Sequence, residues 1–206
     1  MPSDPSTGDK YASLKGIRFI GDLSLEDASV LVEAGRSASR ILEFGAGGST
    51  QIFAQCMPKH FVSVETDPEW IRKTEQNLSR IQSKTKPEFV PYDLVLKAEY
   101  DLIFVDGVDQ LRRSFAIRTW PWLSVGGVMV FHDTRRLKDF ENVAFVAQSF
   151  FSEVRSIEVN VNDSNITLIR KRSPLPYVNW NYTEGKPLWA YGSGEVPKGE
   201  DLWTIA

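Results

Sequence analysis

The 206-residue sequence predicts a doubly wound α/β domain, in which a mostly parallel, seven-stranded sheet ends in an antiparallel hairpin. Two observations carry that expectation. Short runs rich in β-branched and aromatic residues alternate with segments of helical period from Arg40 to Phe150, and the final two runs, in EVRSIEVNVNDSNITLIRKR, are separated only by a polar turn at Asn162 to Asn165. Alternation of this kind needs right-handed crossovers that cover both faces of a parallel sheet, whereas a polar turn joins antiparallel neighbours.

The elements follow in order. Ser24 with Asp27 three residues on forms a capping-box pattern, and Leu25, Ala28, Leu31 and Val32 give the helix behind it an apolar face. A strand over Arg40–Phe44 leads to a helix from about Thr50 to Cys56, stopped by Pro58, and then to a second strand, HFVSVE. Asp67 and Pro68 supply an N-cap and a first-turn proline for a helix carrying Trp70, Ile71, Leu78 and Ile81. The third strand lies in PEFVPY and the fourth in YDLIFVDG, and the short connection between them has no helical period, so a crossover helix is missing there. A helix with Leu111, Phe115, Trp120 and Trp122 ends near Pro121, ahead of the fifth strand, GGVMVF, and of a helix with Phe140, Val143, Ala147 and Phe150 facing inward. The expected organisation is an N-terminal arm over residues 1–23, a ligand-binding domain over 24–172 and an aromatic-rich extension over 173–206.

Composition narrows the function. With 42% apolar and 25% charged residues and no long apolar run, the chain reads as a soluble globular protein, and a polar, Pro/Ser-rich start without a secretory pattern gives the expectation of a cytoplasmic location. A single cysteine, Cys56, and two histidines, His60 and His132, argue against disulfides and against cysteine-rich or multi-histidine metal centres. A net charge of −3 gives no global attraction to nucleic acid or membrane, and neither is expected as a partner.

The stretch ILEFGAGGST places glycines directly after the first strand, where sheets of this kind bind small molecules. Gly45, Gly47 and Gly48 suggest a backbone that something approaches closely, ahead of free N–H groups at a helix start. Glu65 ends the second strand about twenty residues after the first glycine, the spacing at which a carboxylate accepts bonds from ribose hydroxyls. Glu43 ends an apolar strand, and its burial asks for a partner such as a cationic ammonium. Asp67 is explained as a helix cap. The loop lacks the lysine of a nucleotide-triphosphate cradle, and Thr50 departs from the dinucleotide fingerprint, which leaves an NAD-binding protein as the weaker alternative.

Four segments in order, ILEFGAGGST, FVSVETDPEW, YDLIFVDG and GGVMVFHDT, resemble the motif series of the Rossmann-like S-adenosylmethionine-dependent methyltransferases, over about residues 24–172. The acid–glycine pattern is similar to that of the small-molecule O-methyltransferase branch. The resemblance implies S-adenosylmethionine as cofactor, with Glu43 at its methionine end, Gly45, Ala46, Gly47, Gly48, Ser49 and Thr50 along it, Glu65 on the ribose and Asp106 at the end of the fourth strand. It implies methyl transfer to a small-molecule hydroxyl. A divalent ion in metal-dependent relatives would correspond to Asp106, Asp133 and Thr134; threonine in place of an amide weakens that set, so a metal is not favoured.

For a hydroxyl acceptor, Asp106, His132 and Asp133 are the candidate bases, with His132 preferred because it titrates nearest neutrality. Arg112 and Arg135, with Arg113, Arg136 and Lys138 nearby, are candidates for holding an anionic or sugar-type substrate. The alternative to an enzyme is a domain that binds the cofactor or a partner without turnover. The extension holds Trp180, Trp189 and Trp203 and is expected to be buried against its own domain or a second subunit of a homodimer.

Overall fold

The structure is a computed structural model that describes residues 18–172. The expectations for the aromatic extension, including its part in a homodimer, fall outside those residues. Five helices and seven strands alternate as the sequence predicts: α1 (Leu25–Arg36), β1 (Arg40–Phe44), α2 (Gly48–Gln55), β2 (His60–Val64), α3 (Pro68–Arg80), β3 (Glu88–Val90), β4 (Tyr100–Val105), α4 (Arg112–Thr119), β5 (Leu123–Phe131), α5 (Leu137–Ser149), β6 (Val154–Glu158) and β7 (Thr167–Lys171). The sheet order is β3-β2-β1-β4-β5-β7-β6. Strands β1 to β5 pair in parallel, and β7 runs antiparallel to both β5 and β6.

Local chemistry sets the helix starts. At α1 the Ser24 hydroxyl accepts from the Asp27 amide at 3.0 Å while the Asp27 carboxylate accepts from the Ser24 amide at 3.1 Å, which closes the capping box. Leu25 does not join the apolar face as expected; it is 48% exposed, and Ala28, Leu31 and Ala34 carry the packing. At α3 the Asp67 carboxylate accepts from the Glu69 and Trp70 amides, and Pro68 occupies the first helical position.

The two faces of the sheet are covered by different helices. Ile41, Leu102 and Phe104 point toward α1 and α2, where Leu31, Ile52 and Phe53 meet them. Their neighbours Leu42, Ile103 and Val105 point the other way, toward Phe115 and Ala116 of α4 and Val143 and Val146 of α5. No helix lies between β3 and β4. Tyr92, Leu94 and Leu96 pack against the core in its place, and a cavity of about 420 Å³ remains beside Phe44, Phe115 and Trp122. Among the described residues no helix is long and apolar enough to cross a membrane.

The order in which strands are added reverses between the parallel neighbours β1 and β4, so the connections after these two strands lead to opposite sides there. They start in contact. Gly45 has φ +88°, and a Cβ on it would lie 2.5 Å from the amide nitrogen of Gly107, itself at φ +73°. The close approach that the glycines announce is thus, at Gly45, the approach of one loop to the other. Gly126 offers a control, with φ +79° and nothing within 4 Å of an added Cβ. Gly126→Ala is expected to cost about 1–2 kcal/mol, the left-handed backbone penalty alone. Gly45→Ala should cost about 3 kcal/mol or more, because a backbone clash is added. Urea denaturation of both variants checks this, and equal losses would contradict it.

Candidate active site

The site lies at the carboxyl ends of β1, β2, β4 and β5. Glu43 is fully buried, and its carboxylate accepts from three hydroxyls: Ser49 Oγ at 2.5 Å, Thr50 Oγ1 at 2.7 Å and Ser63 Oγ at 2.8 Å. The cationic partner expected for Glu43 is therefore replaced by hydroxyls of its own chain. Thr50 Oγ1 also accepts from the Gly47 amide at 2.8 Å, so Glu43 fixes the glycine loop through Thr50. Ser49 and Thr50, expected along the ligand, are turned inward to this carboxylate. Burial, with the charge of Asp106 nearby, raises the Glu43 pKa to about 7 against the lowering effect of the three hydroxyls.

The other glycines are also packed by protein. A Cβ on Gly48 would lie 2.7 Å from the Ile20 carbonyl, and one on Gly47 would touch the Trp70 indole. The arm is tied down there by buried Gln51, whose side chain accepts from the Ile20 amide at 2.9 Å and donates to the Arg18 carbonyl at 3.1 Å. The Trp70 indole N–H donates to the Ala46 carbonyl. Glu65, half-buried, stands beside this loop. Its Oε1 accepts from the Thr66 and Asp67 amides at 2.7 and 2.9 Å, but Oε2 accepts only one long bond, 3.3 Å, from the Ala46 amide. Oε2 therefore retains capacity for a hydroxyl donor.

At the ends of β4 and β5 lies a network of charges. Arg112, 5% exposed, donates through Nη1 to Asp133 at 3.1 Å and Asp139 at 2.9 Å, and through Nη2 to Asp106 and, at 3.3 Å, to the Gly107 carbonyl. Asp109 lies 3.3 Å from Nη2. Arg136 pairs with Asp133 and Asp139, and Lys138 with Asp109. Asp133 holds φ +61°, an uncommon backbone for a non-glycine residue, and this conformation accompanies a carboxylate bonded by Arg112, Arg136 and Asn165.

His132 differs from its expected role as base. It is buried; Nδ1 lies 3.2 Å from Asp106 and 3.7 Å from Asp133, and Nε2 lies 3.6 Å from Asp27, an ion-pair distance too long for a hydrogen bond. Burial alone would lower its pKa, but the three carboxylates outweigh it and raise the value to about 10. An imidazolium at neutral pH has no lone pair to accept a proton. Arg112, expected to hold substrate, is instead enclosed by carboxylates. Arg135 is exposed but already donates to the Ser164 and Asp163 carbonyls at 3.2 and 2.6 Å. Thr134 is buried and bonded to Asn160 and Asn165 in the β6–β7 connection and to Thr167 at the start of β7.

Residues 42–134, from β1 to the end of this network, match a family model described as a methyltransferase domain. Over these residues the chain is similar to that family. An SAH-bound methyltransferase of Podospora anserina shares 16% identity and superposes with a TM-score of 0.58, over 84% of this chain and 98% of that one. The O-methyltransferase of Bacillus cereus, solved in complex with SAH, gives 16% identity and a TM-score of 0.57 over 83% and 93%. The O-methyltransferase TomG of Streptomyces achromogenes, solved with SAM, gives 16% and 0.59 over 84% and 92%. At such identities these likenesses show the fold alone. A search of curated protein sequences finds no match.

The sequence reading did not single out Ser63, Gln51 or Asp139, and it took Trp70 only as an apolar residue. Ser63 carried a signal, since its hydroxyl interrupts an apolar strand beside Glu43. Glu43 also sets a pH dependence. Its folded pKa, about 7, exceeds the ordinary 4.5, so the stability present below about 4.5 is lost as pH rises through 7. The loss is on the order of 3 kcal/mol. Glu43→Gln lacks the charge, so its stability relative to wild type should improve between pH 5 and pH 8 in urea denaturation. A constant difference would contradict this.

Proposed function

We propose that the domain transfers a methyl group from S-adenosylmethionine to a hydroxyl of a small-molecule acceptor. The observation that carries this reading is Glu65, whose underused carboxylate oxygen stands beside the glycine loop near the point where the strand order reverses. That oxygen suits a ribose hydroxyl, and the Asp106 and Asp133 carboxylates favour a cationic sulfonium nearby. When bound, S-adenosylmethionine supplies an activated methyl group. The chain's own residues then have three tasks. Glu65 and the loop over Gly45–Gly48 orient the cofactor. Arg112 and His132 hold the Asp106 and Asp133 side chains in place. Those two carboxylates, 25% and 19% exposed, accept a hydrogen bond and then the proton from the acceptor hydroxyl.

The acceptor is narrowed by charge. Arg112, Arg136 and Lys138 are already paired with Asp106, Asp109, Asp133 and Asp139, so an anionic acceptor loses three of the cations that had suggested it, while Arg113 and Arg135 bond only to neutral oxygens. A neutral, sugar-type hydroxyl compound fits better. A second reading, cofactor binding without turnover, draws on the same saturation, since Asp106 has both oxygens engaged.

Calorimetry with S-adenosylmethionine should show binding, weakened by about 1.5–3 kcal/mol in Glu65→Ala. Unchanged affinity in a folded variant would refute the role of Glu65. Release of S-adenosylhomocysteine with a panel of hydroxyl acceptors supports the transferase, and binding without release supports the second reading.

A further inference from the structure

The sequence resemblance aligned Asp106, Asp133 and Thr134 with the ligands of a divalent ion, and the structure permits a test of fit. Thr134 fails it, because its hydroxyl is bonded into the β6–β7 connection. His132 stands closer, and one ligand atom each from Asp106, His132 and Asp133 lies within 4.8 Å of the others, near enough for a single ion. Every oxygen of the two carboxylates, however, already has a protein partner. Asp106 Oδ1 accepts from Arg112 and its Oδ2 faces His132; Asp133 Oδ2 accepts from Arg112 and Arg136, and its Oδ1 accepts from Asn165. A guanidinium is planar and two-pronged, and here its two terminal nitrogens span the ends of β4 and β5 as a bridging metal would.

We infer that Arg112 is a built-in cation of this site, bridging Asp106 and Asp133 in the place of a divalent ion. The identity of the cation is then fixed by the chain, and the two strand ends are joined with or without metal in solution. Asp139 enforces the arrangement: it is 3% exposed, comes from the first turn of α5, and anchors Nη1 at 2.9 Å from behind. A divalent ion entering the same cluster would meet Arg112 and Arg136 as like charges bonded to the very oxygens it would need. Arg112 acts here as a positioning residue. The functional meaning of the bridge rests on the methyl-transfer reading, but occupancy of the cation position can be measured without it.

The test uses the full chain, freed of metal with EDTA and titrated with Mn²⁺ while free Mn²⁺ is followed by electron paramagnetic resonance. Wild type is expected to show no stoichiometric site in the micromolar range and no change in melting temperature on adding Mn²⁺ or EDTA. Arg112→Met keeps much of the volume and removes the charge, so it should bind Mn²⁺ tighter than wild type by roughly a hundredfold or more. Adding Asp106→Asn to that variant should abolish the gain. A micromolar Mn²⁺ site in wild type that Asp106→Asn removes would overturn the inference, as would a folded Arg112→Met variant with no gain. The wild-type titration decides even if the variant fails to fold. S-adenosylmethionine binding is measured in parallel in EDTA; its absence counts against the proposed function and leaves the metal result intact.

Discussion

The carboxyl end of this sheet depends on one buried cation. Asp106, Asp109, Asp133 and Asp139 crowd into a region that Arg112 reaches with a side chain 6% exposed. Carboxylates this close repel one another, and without a cation some would take up protons or turn outward. With it, the ends of β4 and β5 and the starts of α4 and α5 are joined through a single guanidinium. A buried network of this kind adds little net stability, because desolvation opposes the attraction, but it fixes where each carboxylate points. That fixed direction is what a transfer reaction needs from its surroundings.

A second polar anchor serves the other half of the site. Glu43 is buried beneath the glycine loop and holds Ser49 and Thr50, and Thr50 in turn holds the Gly47 amide. Trp70 and the arm residue Ile20 close on the loop from outside. The loop is thus packed by protein on several sides, which makes it rigid before any ligand arrives. Glu65 borders it with an acceptor oxygen in reserve, and the two anchors meet where Gly45 touches Gly107.

Much of this fold was legible in the sequence, because hydrophobic period and capping are local. Ser24 with Asp27, Asp67 with Pro68, and the helix absent before β4 all lie where the pattern put them. The error at Leu25 has a local cause too, since a first-turn residue can satisfy the period and still face solvent. Site chemistry was less legible because its partners are distant in sequence. Arg112 is 27 residues from Asp139, and Asp27 is 138 from the Asn165 amide it accepts from. A strand-end histidine beside an aspartate reads as a base until three carboxylates around it are seen. Glycines after a strand read as a ligand cradle, and nothing in their spacing shows that Gly107 and Ile20 also pack against them. Glu43 was correctly read as needing a partner, yet nothing in the spacing identified Ser63 as one.

The most direct measurement is a crystal structure of the full chain grown with S-adenosylhomocysteine and excess magnesium. The ligand's ribose is expected on Glu65 and its chain along Gly45–Gly48, with Arg112 still bonded to both Asp106 and Asp133 and no ion between them. An Arg112 side chain turned out of the cluster, with magnesium bound by Asp106 and Asp133, would contradict this.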